Sequence, residues 1–87
     1  MNLLFTSGSW DDYLFWQKND KKILKRINLL ITEIIRNPFE GIGKPEPLKH
    51  NLFGLWSRRL SQKDRVIYKY DDQYIYIFAI GGHYDQF

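Results

Sequence analysis

The fold is decided by the run Lys21-Lys22-Ile23-Leu24-Lys25-Arg26-Ile27-Asn28-Leu29-Leu30-Ile31-Thr32-Glu33-Ile34-Ile35-Arg36. Its apolar residues recur at helical spacing and form one stripe: Ile23, Ile27, Leu30, Ile31 and Ile34. The pair Asn19-Asp20 before the run supplies an N-cap. The pair Asn37-Pro38 ends it, because proline disfavours the helical conformation of the residue before it. The run therefore predicts an amphipathic helix that must cover an apolar surface formed by the rest of the chain.

The residues before this helix predict a strand and another helix. Asn2–Phe5 favours a short strand, and Ser9 is placed to cap a first helix, with Asp12 three residues further on. The expected inward face of that helix consists of Trp10, Tyr13, Leu14 and Gln17. We expect the two helices to form a hairpin that turns at Asn19-Asp20.

The residues after the hairpin predict a loop and then a small sheet. Residues 38–47 contain three prolines and two glycines, which indicates a loop with fixed turns. Beyond it, runs of β-branched and aromatic residues predict three strands: Leu52–Leu60, Arg65–Tyr70 and Tyr74–Ile80. The connections between them are short and polar, so neighbouring strands must be antiparallel.

Side-chain alternation in the middle strand assigns its two faces. Val66, Tyr68 and Tyr70 share one face, and if the helices cover it, Arg65 lies on the open face. The predicted fold class is α+β: an N-terminal strand, a two-helix hairpin and a three-stranded antiparallel meander, in one sheet with the helices on one face.

Length and composition limit the possible classes of protein. A chain of 87 residues with 44% apolar residues favours a single folded domain over residues 1–87. It has no cysteine and two histidines, so we expect no disulfide, no protein-held metal and no cofactor. The start, Met1–Phe5, lacks a basic segment and is too short for a signal peptide, and no apolar stretch is long enough to span a membrane. We therefore expect a cytoplasmic protein without membrane attachment.

The net charge of +3 is unevenly distributed. Residues 1–40 carry six basic and five acidic side chains, residues 41–70 carry seven and two, and residues 71–87 carry none and three. A basic surface of this kind attracts phosphate backbones, although it also attracts acidic protein segments. Charge alone leaves both kinds of partner open.

Several short motifs match one known family. They are Ser9-Trp10-Asp11-Asp12-Tyr13 with Trp16, Asn37-Pro38-Phe39-Glu40-Gly41, Gly43-Lys44-Pro45-Glu46-Pro47-Leu48-Lys49, Asn51-Leu52, Trp56-Ser57-Arg58-Arg59, Arg65, Tyr68 and His83-Tyr84. Along nearly its whole length the chain resembles the YoeB-type (Txe/YoeB) toxins of the RelE/ParE superfamily. The resemblance implies the RelE/ParE-like fold, which agrees with the predicted elements. It also implies a toxin of a type II toxin-antitoxin system.

The activity and partners of this chain follow from the resemblance, and residue patterns do not show them. Such toxins are metal-independent endoribonucleases that enter the A site of the 70S ribosome and cut the mRNA there. The resemblance also implies a cognate antitoxin encoded alongside, and it allows a homodimer.

The resemblance assigns roles residue by residue. Glu46 would be the general base on the ribose 2'-hydroxyl, Arg65 would bind the phosphate, and His83 would protonate the leaving 5'-oxygen. Without the resemblance, these three residues would be a solvated loop carboxylate, an exposed strand arginine and a surface histidine. The remaining site residues that the resemblance implies are Tyr84, which packs against or orients the substrate, and the cations Lys49, Arg59, Lys44 and Arg58. The aromatic residues expected in the core are Trp10, Trp16, Trp56 and Tyr68.

One departure from the family pattern falls inside the implied site. Family members commonly end at the His-Tyr pair, preceded by Cys, a basic residue and Tyr. Here Ile80-Gly81-Gly82 precedes His83, and Asp85-Gln86-Phe87 follows Tyr84. We expect the two glycines to loosen the backbone before His83.

Two alternative functions remain open at this point. The same superfamily includes ParE-type toxins that bind gyrase and cleave no RNA, although those relatives lack the Glu46, Arg65 and His83 set. The basic middle region is also compatible with a protein-interaction domain that binds an acidic segment without catalysis.

Overall fold

The computed structural model describes residues 1–82, which form one sheet with two helices packed on it. The helices and strands are β1 (Asn2–Phe5), α1 (Ser7–Asn19), α2 (Lys21–Arg36), β2 (Glu46–Pro47), β3 (Trp56–Arg59), β4 (Arg65–Tyr70) and β5 (Tyr74–Ile80). A short 3-10 turn, His50–Leu52, lies between β2 and β3. The predicted α+β class is confirmed.

The five strands lie in the order β1-β5-β4-β3-β2. The meander β3-β4-β5 is antiparallel, as predicted, and β1 joins its far side parallel to β5. The predicted first strand of the meander, Leu52–Leu60, is too long, because His50–Leu52 is a turn and β3 begins at Trp56. Part of the predicted loop forms an edge strand, β2, whose residue Glu46 pairs with Ser57 of β3. Proline is tolerated there because an edge strand leaves one side of its backbone unpaired.

Asp20 forms the corner between the helices. Its backbone N–H donates to the Trp16 carbonyl at 2.9 Å and closes α1, while its side chain accepts from the Ile23 N–H at 3.1 Å and caps α2. This double role was predicted. The predicted N-cap of α1 is wrong: Thr6 caps that helix, and Ser9 lies in its first turn.

The inward face of α1 also differs from the prediction. Trp10 and Leu14 are 48% and 40% exposed, whereas Ser9 is buried and Trp16 packs against the core. Two polar contacts rotate the helix to this face. Ser9 Oγ donates to the Ile77 carbonyl at 2.7 Å, and Asp12 Oδ2 accepts from the Ile80 N–H at 2.9 Å. Trp10 is consequently a surface residue and the core assignment for it is wrong.

The core lies between α2 and the sheet. The predicted stripe of α2 supplies Ile27, Leu30, Ile31 and Ile34, with Ile23 at its margin. Val66 and Tyr68 of β4 face these residues, and Tyr70 packs beside them, so the alternate residues Arg65 and Lys69 lie on the open face of the sheet. Within residues 1–82, neither helix combines the length and apolarity needed to cross a bilayer.

Candidate active site

Glu46 lies on the open face of the sheet, at its edge. Its partner in the register is Ser57, and the neighbouring pair is Pro47 with Trp56. Trp56 packs against the core, so alternation directs Ser57 and Glu46 away from the helices. Glu46 is exposed and is flanked by Pro45 and Pro47, which restrict its backbone. The Glu46 carboxylate is thus exposed to solvent on a backbone with restricted conformational freedom.

Arg59 and Arg65 face each other across β3 and β4 on the same open face. Like charges directly opposite one another in a sheet repel, and an anion bound between them would relieve that repulsion. Arg65 is half-buried, and its Nη1 donates to the Ser61 and Asp64 carbonyls at 3.1 and 3.0 Å. Among residues 1–82, the hydrogen bonds of this guanidinium all involve Nη1.

The register brings the carboxylate and the two cations together. Glu46 lies beside Ser57, and Arg59 follows Ser57 by two residues on the same face. Standard strand spacing then separates the Cα atoms of Glu46 and Arg65 by about 12 Å. Between them, Ser57 and Ile67 are 2% and 1% exposed. The Glu46 carboxylate and the two arginines therefore lie on either side of two residues that have little contact with water.

The prediction that Arg58 binds the substrate is wrong, because this residue is fully buried on the side of the sheet that the helices cover. Its guanidinium donates to the carbonyls of Asn37, Glu40 and Ile42, the last two at 2.8 and 3.2 Å, and Nε donates to Tyr68 Oη at 3.2 Å. Burial raises the pKa of Tyr68, and the Arg58 charge opposes part of that rise. The three contacts with carbonyls anchor the loop that leads from α2 toward Glu46.

Lys44 and Lys49 are exposed on either side of Glu46 in the sequence. Lys44 adopts a positive φ of 50°, directly after the turn that contains Gly43. The Gly43 carbonyl accepts from the Arg59 N–H at 2.6 Å, which places this turn against β3. The two lysines thus add positive charge along the approach to the carboxylate.

The end of β5 is fixed by contacts from three directions. The Ile80 N–H donates to Asp12, and Trp16 Nε1 donates to the Ile80 carbonyl at 2.9 Å. The Gly81 N–H then donates to the Arg65 carbonyl at 2.8 Å, and the Gly82 carbonyl accepts from the Arg65 N–H at 3.0 Å. The expectation that the glycines loosen this backbone is wrong, since both are held by hydrogen bonds.

The two glycines are required by conformation. Gly81 and Gly82 have φ angles of 107° and 73°, which L side chains rarely adopt. A Cβ on Gly81 would also lie 3.1 Å from the Trp16 ring. The chain thus reaches the end of the described part directly beside Arg65. His83 and Tyr84, the other two implied catalytic residues, lie outside the described residues.

An apolar groove of about 470 Å³ opens on the helix side of the sheet. It is lined by Leu3, Phe5, Trp10, Tyr13, Asn28, Ile31, Thr32 and Ile35. Leu3 and Phe5 belong to the face of the sheet that the helices cover, because they share register positions with the buried Ile75 and Ile77. The groove is therefore separate from the face that carries Glu46 and Arg65.

Sequence reasoning missed the residues that support the site. Asp64 is 8% exposed, and its Oδ1 accepts from the Gly82 N–H at 2.8 Å. Asp12 and Trp16 were identified as motif residues, but their contacts with Ile80 were not foreseen. One signal was available: Asp64 is the single acidic residue near the cations Arg58, Arg59, Lys63 and Arg65.

Comparison with known proteins identifies the family. A family profile described as "YoeB-like toxin of bacterial type II toxin-antitoxin system" matches residues 5–84. Toxin YoeB of Synechocystis sp. is 55% identical over 86 residues, which are 99% of this chain and 100% of that protein. Toxin YoeB of Escherichia coli K12 is 54% identical over 84 residues, which are 97% of this chain and 100% of that protein.

Solved structures agree with the fold. A YoeB/ParE toxin from Agrobacterium tumefaciens superposes with a TM-score of 0.92 at 43% identity, covering 97% of this chain and 100% of that chain. A YoeB dimer from Staphylococcus aureus gives a TM-score of 0.90 at 46% identity, over 97% and 98% of the two chains. A heterotetrameric YoeB-YefM toxin-antitoxin complex from the same organism gives 0.88 at 46% identity, over the same shares.

Proposed function

The chain belongs to the family of YoeB-like toxins of bacterial type II toxin-antitoxin systems, and on this premise we propose that it is an endoribonuclease that cleaves mRNA in the ribosomal A site. One observation carries the proposal: Glu46, Arg59 and Arg65 share the open face of the sheet in adjacent register rows. That face offers a proton acceptor and paired cations across the span of one nucleotide.

The proposed reaction is a transesterification, in which the 5'-hydroxyl is the leaving group. Glu46 removes the proton of the ribose 2'-hydroxyl, whose oxygen attacks the adjacent phosphorus. Arg65 stabilises the added negative charge of the pentacoordinate phosphorus through a bidentate contact. As the bond from phosphorus to the 5'-oxygen breaks, His83 donates a proton to that oxygen. The products are a 2',3'-cyclic phosphate and a 5'-hydroxyl, and these groups provide both proton transfers without a metal.

The remaining residues bind the substrate. Arg59 supplies a second cation opposite Arg65, and Lys49 contacts a phosphate. Lys44 adds general attraction for the RNA backbone. Tyr84 packs against or orients the nucleotide at the cut. Because this chemistry uses the 2'-hydroxyl, we expect a single 2'-deoxy nucleotide at the cleavage position to block it.

The test uses purified protein, programmed 70S ribosomes and a chelator, with the messenger ends mapped. We expect Glu46→Gln to lower the cleavage rate by roughly 100-fold to 10,000-fold, because it removes the base and keeps the shape. Glu40→Gln is the matched control, since Glu40 is an exposed carboxylate in the loop that leads to β2. Full cleavage by a Glu46→Gln, Arg65→Ala double variant would remove this mechanism. Intact messenger together with inhibited gyrase supercoiling would instead favour the ParE-type alternative.

We propose further that a cognate antitoxin binds this chain in the cytoplasm and that the chain can pair with itself. The support is that the S. aureus relatives were solved as a YoeB-YefM complex and as a YoeB dimer. We expect the protein encoded beside this one to co-purify with it and to suppress cleavage. Light scattering of the isolated toxin across a concentration series tests self-association.

A further inference from the structure

We propose that Asp64 is a positioning residue that holds the chain at Gly82 beside Arg65 and thereby sets the proton-donation step of the cleavage. The inference rests on the proposed function, in which His83 supplies that proton. It concerns a buried carboxylate to which the mechanism above assigns no task.

Both oxygens of Asp64 are engaged. Oδ1 accepts from the Gly82 N–H at 2.8 Å, and Oδ2 accepts from Ser61 Oγ at 2.9 Å. Ser61 Oγ in turn accepts from the Asp64 N–H at 3.1 Å. The carboxylate is 8% exposed, so these contacts compete little with water. Asp64 therefore links the turn between β3 and β4 directly to the last described residue.

The same turn holds Arg65. The carbonyls of Ser61 and Asp64 accept from Arg65 Nη1, and the Arg65 N–H donates to the Gly82 carbonyl. The peptide groups on both sides of Gly82 are consequently fixed, one by the Asp64 side chain and one by the Arg65 backbone. A single turn thus sets the phosphate-binding guanidinium and the point from which the chain continues to His83.

The fixation matters because two consecutive glycines have more accessible conformations than any other pair. Without the Asp64 contact, we expect Gly81 and Gly82 to leave the conformation that these hydrogen bonds fix more often, which slows the proton donation that the proposed function assigns to His83. A displacement of about 1 Å in an acid-base site costs roughly 100-fold in rate. Ser61→Ala should lower the cleavage rate less than Asp64→Ala does, because the contact from Asp64 to Gly82 stays.

The experiment compares two leaving groups on the ribosome-bound messenger. One messenger carries the natural 5'-oxygen at the cut, and the other carries sulfur at that position, which departs as a thiolate without a proton. We expect Asp64→Ala to lower kcat on the oxygen substrate by about 10-fold to 100-fold with little change in KM. On the sulfur substrate the same variant should cleave within about threefold of the unaltered protein, because the assisted step is bypassed.

Two controls separate positioning from folding and charge. Asp64→Asn keeps an oxygen for the Gly82 N–H and should recover most of kcat. Asp71 is the matching carboxylate of the turn between β4 and β5, where it accepts from the Gln73 and Tyr74 N–H groups. Asp71→Ala should leave the ratio of the rates on the oxygen and sulfur substrates unchanged. If Asp64→Ala does not fold, a semisynthetic chain with an ester at the Gly82 N–H removes the donor alone and should show the same loss.

The possible results are distinguishable. If Asp64→Ala or the Gly82 ester lowers kcat equally on the oxygen and sulfur substrates, the positioning role is overturned. A His83→Ala defect that sulfur does not relieve would instead contradict the proposed acid, and with it the proposed mechanism. Unimpaired cleavage of the oxygen substrate by Asp64→Ala would also overturn the inference.

Discussion

Arg58 and Arg59 are adjacent in the sequence and lie in opposite environments. Arg58 is fully buried and donates to three loop carbonyls and to Tyr68, whereas Arg59 is exposed opposite Arg65. Alternation along a strand makes one of two neighbours face the core, but composition does not say which. A sequence motif that contains both therefore combines a buried structural cation with an exposed one that we propose binds the substrate.

We expect Arg58→Met to destabilise the domain by about 3 kcal/mol or more, because several buried carbonyls lose their donor. In a domain of this size such a change lowers Tm by at least about 12 °C. Thermal unfolding followed by circular dichroism measures the shift.

Arg59→Met is the control for that substitution. It should change stability by less than about 0.5 kcal/mol, because Arg59 is exposed, while it weakens messenger binding. Equal losses of stability in the two variants would contradict the assignment of Arg58 as the structural residue.

At the level of elements, prediction succeeded where apolar periodicity or a local cap determines the structure, and it failed where polar contacts between distant residues do. The stripe of α2 has no polar competitor, and its core residues were identified. The face of α1 was missed because Ser9 and Asp12 bond to the backbone of β5, a contact that no local pattern reveals. The strand β2 was missed because it is two residues long and ends in Pro47. Its pairing with β3 nevertheless places Glu46.

Two glycines in different settings should respond to alanine with opposite changes in stability. Gly81→Ala should destabilise the domain by about 1–3 kcal/mol, because it combines a positive φ with a clash against Trp16. Gly8→Ala should stabilise it by about 0.5 kcal/mol, since Gly8 lies in α1 with open space around it. Urea denaturation of both variants measures the difference, and two shifts of the same sign would be the contrary result.

Across the whole molecule, the family resemblance pointed to Glu46 and Arg65 as site residues, but sequence reasoning did not foresee the contacts that support their positions. Asp64 and Gly82 are 18 residues apart, and Asp12 and Ile80 are 68 apart. Such pairs come into contact only because β1 pairs with β5 and the strands adopt a particular register. A single sequence does not reveal that register. The roles of Glu46, Arg65, His83 and Tyr84 stay predictions, because they rest on family resemblance.

The excess of basic residues between positions 41 and 70 predicts steep salt dependence. The Michaelis constant for messenger cleavage should rise with KCl, because cations that contact phosphates release bound counterions. Lys49→Gln should reduce the slope of the double-logarithmic plot by about 0.7. Lys22→Gln removes the same charge from an exposed position on α2 and should leave the slope unchanged. Equal slopes in the two variants would argue against a phosphate contact by Lys49.

The position of β5 in the sheet has a consequence for the order of folding. β5 ends at Ile80, pairs with both β1 and β4, and supplies Ile75, Ile77 and Ile80 to the core. Without β5, the strand β1 has no neighbour in the sheet, and α2 loses part of the apolar surface that it covers. The domain therefore cannot assemble stepwise from its amino-terminal end, and its first and last strands must come together before the sheet is complete.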